Sequence, residues 1–141
     1  MQTVGRTDYT SVVITYKTSP ILSNSEFSEL FASAWGEHIS TKYADTLNEN
    51  TVWVCAFDDA KLIGFVKVLW DGGKHGFVLD TTTHSDYQRQ GIATELLHRI
   101  VPESKKLGIK WLHVDFESKL TDFYTKAGYQ NTEAGLLDLS E

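Results

Sequence analysis

A chain of 141 residues can bury one substantial hydrophobic core and is short for two, so a single domain spanning 1–141 is expected. With 41% hydrophobic and 23% charged residues, the composition excludes a disordered or fibrous chain. A net charge of −6 without a dense Lys/Arg block argues against a surface that neutralises nucleic-acid phosphates, and the lone Cys55 excludes an internal disulfide. No apolar run reaches the roughly 18 residues of a membrane span, and the opening "MQTVGRTDYT" lacks the apolar centre of a signal peptide. The expected setting is reducing and cytoplasmic, with neither nucleic acid nor membrane as partner.

Along the chain, the β-branched stretch "SVVITYKT" predicts a first strand over Ser11 to Thr18. Ser23 and Glu26 stand at capping-box spacing ahead of Phe27, Leu30, Phe31, Ala34 and Trp35, the apolar stripe of an amphipathic helix. A second, weaker helix is expected from about Ile39 to Leu47. From Thr51 the pattern turns to strands. "TVWVCAFDD" and "KLIGFVKVLW" flank an Asp58-Asp59 turn, and Asp71-Gly72-Gly73 leads to "HGFVLDTTT", so three successive antiparallel strands follow. Ile92, Leu96, Leu97 and Ile100 then mark one face of a helix that Pro102 should kink or end, with Lys105, Lys106 and Gly108 as its last turn and terminator if it resumes. "IKWLHVDF" reads as another strand. Ser118 is placed to cap a last helix carrying Leu120, Phe123, Tyr124 and Ala127 and closed by Gly128, and a final strand is expected near "AGLLDL".

The junction "DYQRQGIATELL" carries the strongest functional signal. A strand entering a helix through Gln-x-x-Gly-x-Ala presents unpaired N–H groups at the positive end of the helix dipole, and its small residues let an anion come within hydrogen-bonding distance. It is neither a Walker loop, which continues into Gly-Lys-Ser/Thr, nor the three-glycine dinucleotide fingerprint.

Gln88, Gly91 and Ala93 match the acetyl-CoA signature of the GNAT superfamily of N-acetyltransferases, which the chain resembles. "FYTKAGYQ" is similar to a second signature of that family through Phe123, Tyr124, Lys126, Gly128 and Tyr129. Both motifs occur in order within an element sequence like the family's own from Ser11 to Leu139. The resemblance implies an α/β (α+β) fold: a mixed, mostly antiparallel sheet, splayed between its fourth and fifth strands and flanked by helices on both faces. It implies acetyl-CoA as cosubstrate and no metal. Arg89, Gln90, Gly91, Ile92, Ala93 and Thr94, following Gln88, would hold the pyrophosphate, and Thr81, Thr82 and Thr83 would pair with the pantetheine arm. Tyr124 falls on the tyrosine that commonly protonates the departing CoA thiolate. The chain departs from the family pattern at Ser85, where many members carry Pro, and at Glu117, where Asn is common.

Acetyl transfer to an amine needs a group to take a proton from the ammonium, a polarised carbonyl and a stabilised thiolate. Asp80 on the fourth strand is the first candidate base and Asp115 on the fifth the second, since strand alternation can aim both into the cleft beside His113 and His75. The competing role for each aspartate is a hydrogen-bonded structural group near a sheet end. His75, next to the Gly72-Gly73 turn, reads as a surface residue, and Cys55, alternating with Trp53 and Phe57, as a core thiol. Trp35 is the candidate border of an acceptor pocket. The expected activity is acetyl-CoA-dependent transfer to a primary amine of a small molecule or peptide, by direct attack in a ternary complex; the resemblance also allows a homodimer. The alternative is a module on the same fold that binds CoA or acetyl-CoA as sensor or scaffold and transfers nothing.

Overall fold

The computed structural model describes residues 13–36 and 42–140. Five strands form one sheet in the order β1 (Ile14–Thr18), β2 (Thr51–Asp58), β3 (Lys61–Trp70), β4 (His75–Thr83) and β5 (Trp111–Val114). The first four pair antiparallel, and β4 with β5 is parallel, which requires the crossover that helix α2 (Ile92–Lys106) supplies. The β4–β5 ladder ends at Val78↔Val114, while β4 runs on to Thr83. Beyond that point the two strands part, which makes the splay between them.

Helices cover both faces of the sheet. β2 and β3 are buried on both sides, so their sequences are near-continuous apolar runs rather than alternating ones. On one face α1 (Asn24–Trp35) seats Phe27, Leu30 and Phe31 against Cys55, Phe57, Leu62 and Phe65. Its start is the expected capping box: the Ser23 hydroxyl accepts from the Glu26 N–H at 3.1 Å, and the Glu26 carboxylate accepts from the Ser23 N–H at 3.0 Å. On the other face α2 seats Ile92, Leu96, Leu97 and Ile100 against Val54, Ala56, Val66, Val68 and Val78. Gly64 permits that close approach, because a Cβ there would lie 3.0 Å from Ile92 Cγ2 and 3.1 Å from Ala56 Cβ.

Several expectations are revised. The first strand is Ile14–Thr18; Ser11 and Val12 lie outside the described residues. Of the weak helix expected over Ile39–Leu47, residues 39–41 lie outside the description, and the remainder is a 3-10 turn, Tyr43–Thr46, pinned by Tyr43 against the aromatic core. Pro102 neither ends α2 nor splits it, because its ring sits on the exposed side and the buried residues on either side, Ile100 and Ser104, hold the helix to the sheet. Lys105, Lys106 and Gly108, with φ +87°, then terminate it as expected. Ser118 does not cap α3 (Thr121–Lys126): it opens a 3-10 turn, and its carbonyl accepts from the Thr121 hydroxyl. The strand expected near "AGLLDL" is absent, since residues 130–140 have no regular structure and Leu136, Leu137 and Leu139 are exposed.

Candidate active site

The link from β4 to α2 carries unusual backbone. After a 3-10 turn at Ser85–Tyr87, Arg89 has φ +64° and Gly91 has φ +81°, two left-handed residues separated by Gln90. A non-glycine residue in that region is strained and has to be held there by its surroundings. The first bond of α2 runs from the Glu95 N–H to the Gly91 carbonyl, 3.0 Å, which leaves the amides just before Glu95 without intrahelical acceptors. A Cβ on Gly91 would meet nothing within 4 Å, so the space in front of this turn is open. Those exposed donors, the helix dipole and the open space fit a diphosphate.

That space is one end of a cleft of about 410 Å³. Its walls include Thr81, Thr82 and Thr83 from β4 and Gln88, Arg89, Gly91, Ile92, Ala93 and Thr94 from the helix start. Ala34, Trp35 and Phe123 complete it. Gln90 is exposed and is not one of the lining residues. Trp35 stacks on Phe31 at 4.6 Å and remains 45% exposed, so α1 presents a flat aromatic surface to the cleft.

Tyr124 is nearly buried behind an aromatic cluster, stacked on Phe116 at 4.7 Å and edge-on to Phe123 and Tyr129. Burial raises its phenol above the ordinary tyrosine range, and a hydrogen bond from Thr81 works against that rise. The hydroxyl therefore reaches the β4 segment that lines the cleft, although the ring is part of the core.

The two aspartates have different surroundings. Asp80 sits at a β-bulge: Phe65 pairs with Thr82 and Lys67 with Leu79, so Asp80 and Thr81 together face one residue of β3. Asp80 itself has φ +58°. Its Oδ2 accepts a hydrogen bond of 2.6 Å from the Tyr43 hydroxyl and lies 3.6 Å from Lys67 Nζ. Asp115 follows the last residue of β5 and lines a separate groove along the outer edge of that strand, shared with His75 and His113. The structure does not give the aspartates a common partner. His75 Nδ1 and His113 Nε2 are 2.8 Å apart on the exposed sheet surface, at the opposite end of β4 from the threonines. Cys55 is fully buried and its thiol is pushed far above the ordinary value by that burial, as suits a core residue.

Tyr43 and Lys67 are site neighbours that the sequence reading missed. Lys67 occupies an inward position of an apolar strand, and a lysine in "GFVKVLW" is a signal that a buried charge needs a partner. Among the described residues, no group of three or more His, Cys, Asp or Glu side chains could hold a metal ion, and no helix is long and apolar enough to cross a membrane.

Comparison with known proteins agrees with this fold. The model of the acetyltransferase (GNAT) family matches residues 22–129, and the chain belongs to that family. Among curated proteins, it is 25% identical over 71 residues to an uncharacterized N-acetyltransferase, ycf52, of Pyropia yezoensis, a match covering 50% of this chain and 41% of that protein. The chain thus spans about two fifths of the length of that relative. Among solved structures, a putative acetyltransferase from Deinococcus radiodurans superposes with a TM-score of 0.77 at 21% identity, over 94% of each chain. The ribosomal-protein-S18-alanine N-acetyltransferase of Escherichia coli superposes with a TM-score of 0.74 at 17% identity, covering 86% of this chain and 80% of that one. At such identities the likeness is one of fold.

Proposed function

We propose that this chain binds acetyl-CoA in the cleft between β4 and α2 and transfers the acetyl group to a primary amine of a small molecule or peptide. The observation that carries the reading is the left-handed turn at Arg89 and Gly91, which opens the amide-rich start of α2 onto the threonine end of β4. The amides of that turn would hold the pyrophosphate, with Thr81, Thr82 and Thr83 along the pantetheine arm. Bound acetyl-CoA supplies an acyl thioester. Asp80 is the proposed base, since one of its oxygens is held by Tyr43 and its side chain stays 37% exposed. It takes a proton from the acceptor ammonium, so that the neutral amine attacks. Tyr124, its hydroxyl beside Thr81, gives a proton to the departing thiolate. Asp115 is the second candidate base, and its place on the outer groove makes it the weaker one. A reducing, cytoplasmic setting suits the unpaired Cys55.

Release of free thiol from acetyl-CoA, followed over a panel of primary amines, tests the reading. A ligand at one hundred times its Kd stabilises the fold by about 2.7 kcal/mol, so millimolar acetyl-CoA should raise the melting temperature measurably. No shift, with no thiol released from any amine, would refute it. A shift without transfer would favour the sensor or scaffold module. With an acceptor in hand, Asp80→Asn should slow the reaction most near neutral pH and least at high pH, where the amine loses its proton unaided. An unchanged pH profile would move the assignment to Asp115, His113 or a water chain.

A further inference from the structure

Lys67 is buried, with 7% of its surface exposed, in the middle of β3. An ammonium there must be paired or hydrogen-bonded, and its neighbours form a compact set. Nζ lies 3.1 Å from Thr46 Oγ1, 3.6 Å from Asp80 Oδ2 and 4.5 Å from the centre of the Tyr43 ring. Tyr43 is itself locked by aromatic neighbours, with ring centres 5.0 Å from Phe27, 5.0 Å from Phe31 and 5.9 Å from Phe65. Its hydroxyl therefore has a fixed position, and it spends its proton on Asp80 Oδ2. The β-bulge turns the Asp80 carboxylate to the Lys67 side of the sheet. Two elements, the 3-10 turn and β3, thus converge on one oxygen of a carboxylate carried by β4.

We propose that Lys67 and Tyr43 are positioning residues that fix Asp80 Oδ2, so that Oδ1 is the oxygen offered to the acceptor ammonium. This rests on Asp80 being the base. Burial and the bond to Asp80 keep the Tyr43 phenol well above the ordinary tyrosine range, so it remains a donor throughout the pH range of the reaction. Burial lowers the Lys67 ammonium, and Asp80 opposes that fall. Among the described residues, Tyr43 of the 3-10 turn hydrogen-bonds the carboxylate and Lys67 of β3 pairs with it. His75 and His113 lie farther down the β4–β5 surface.

Lys67→Met and Tyr43→Phe separate this role from simple packing, because both keep the side-chain bulk. With an acceptor identified, each variant should lower kcat by about tenfold or more while the Kd for acetyl-CoA, measured by calorimetric titration, stays at the parent value, the split expected when a base is misplaced and the cosubstrate site is intact. Should one variant fail to fold by circular dichroism, the other still decides. Folded variants that keep the parent kcat while Asp80→Asn loses activity would overturn the frame. If Asp80→Asn itself transfers acetyl normally, it is the assignment of Asp80 as base that falls.

Discussion

Gly91 and Tyr124 are the single residues on which the proposed chemistry most depends, and each can be tested by a substitution that separates folding from function. Gly91 adopts φ +81° in front of open space, so a side chain there meets a backbone penalty and projects where a diphosphate would lie. Gly91→Leu is expected to lower stability by roughly 1–2 kcal/mol and to abolish the rise in melting temperature with acetyl-CoA. A folded variant that still responds fully would place the cradle elsewhere. Tyr124→Phe retains the stacking on Phe116 and removes only the hydroxyl beside Thr81. Loss of that hydrogen bond should cost about 1 kcal/mol in stability. General acid help is worth about 10² to 10⁴ in rate, so kcat should fall by that order while the affinity for acetyl-CoA, measured by titration, stays nearly constant. A parent-like kcat would leave Tyr124 as a core residue.

At the scale of elements, the position of α2 on the sheet is what brings an amide-rich helix start to the end of β4. That position depends on Gly64 in β3, where a Cβ would crowd Ile92 Cγ2, Leu96 Cδ1 and the Ala56 Cβ at 3.0 to 3.2 Å. Ile92 is the first residue of α2, so crowding acts directly on the turn that would hold phosphate. Gly64→Ala is expected to cost about 1–3 kcal/mol, the usual range for overpacking a core. It should also weaken acetyl-CoA binding, although Gly64 lies on the far side of Ile92 from the cleft. Calorimetric titration checks this; unchanged affinity in a destabilised variant would show that the helix start is held independently of its packing. The bulge in β4 matters in the same way, since the regular ladder would turn Asp80 away from Lys67.

For the whole molecule, the buried titratable groups set the response to alkali. Burial raises the thiol of Cys55 from an ordinary 9.0, and the phenols of Tyr43, Tyr124 and Tyr129 from an ordinary 10.0, that of Tyr129 to about 12. In each case the unfolded chain loses its proton at lower pH than the folded one. Their contribution to stability is therefore complete below pH 9 and is lost as pH rises through and beyond the unfolded values. Melting temperature should hold steady from pH 7 to about 9 and then fall, and Cys55→Val should remove the earliest part of that fall. A melting temperature still unchanged at pH 11 would contradict the burial of these groups.

What the sequence determined by itself was local. Periods of two and of 3.6, the Ser23–Glu26 box, the Asp71-Gly72-Gly73 turn and the Gln88-x-x-Gly91-x-Ala93 junction each lie within a few consecutive residues, where backbone geometry ties pattern to structure. From them most of the element order and the amide-rich start of α2 could be read, while the helices on both faces of the sheet and the cleft beside the splayed strands were implied by the family resemblance. The failures were of another kind. Pro102 lies inside a helix because packing on its two sides outweighs one lost hydrogen bond, and the "AGLLDL" run, read as a strand, pairs with none and leaves its leucines exposed. The surroundings of Asp80 belonged wholly to the tertiary structure. They depend on the register between β3 and β4, shifted by a bulge, and on a tyrosine 37 residues away whose own position is set by three other aromatic rings. Strand composition does not encode a one-residue register shift, because its energy comes from contacts between segments that meet only once the chain has folded.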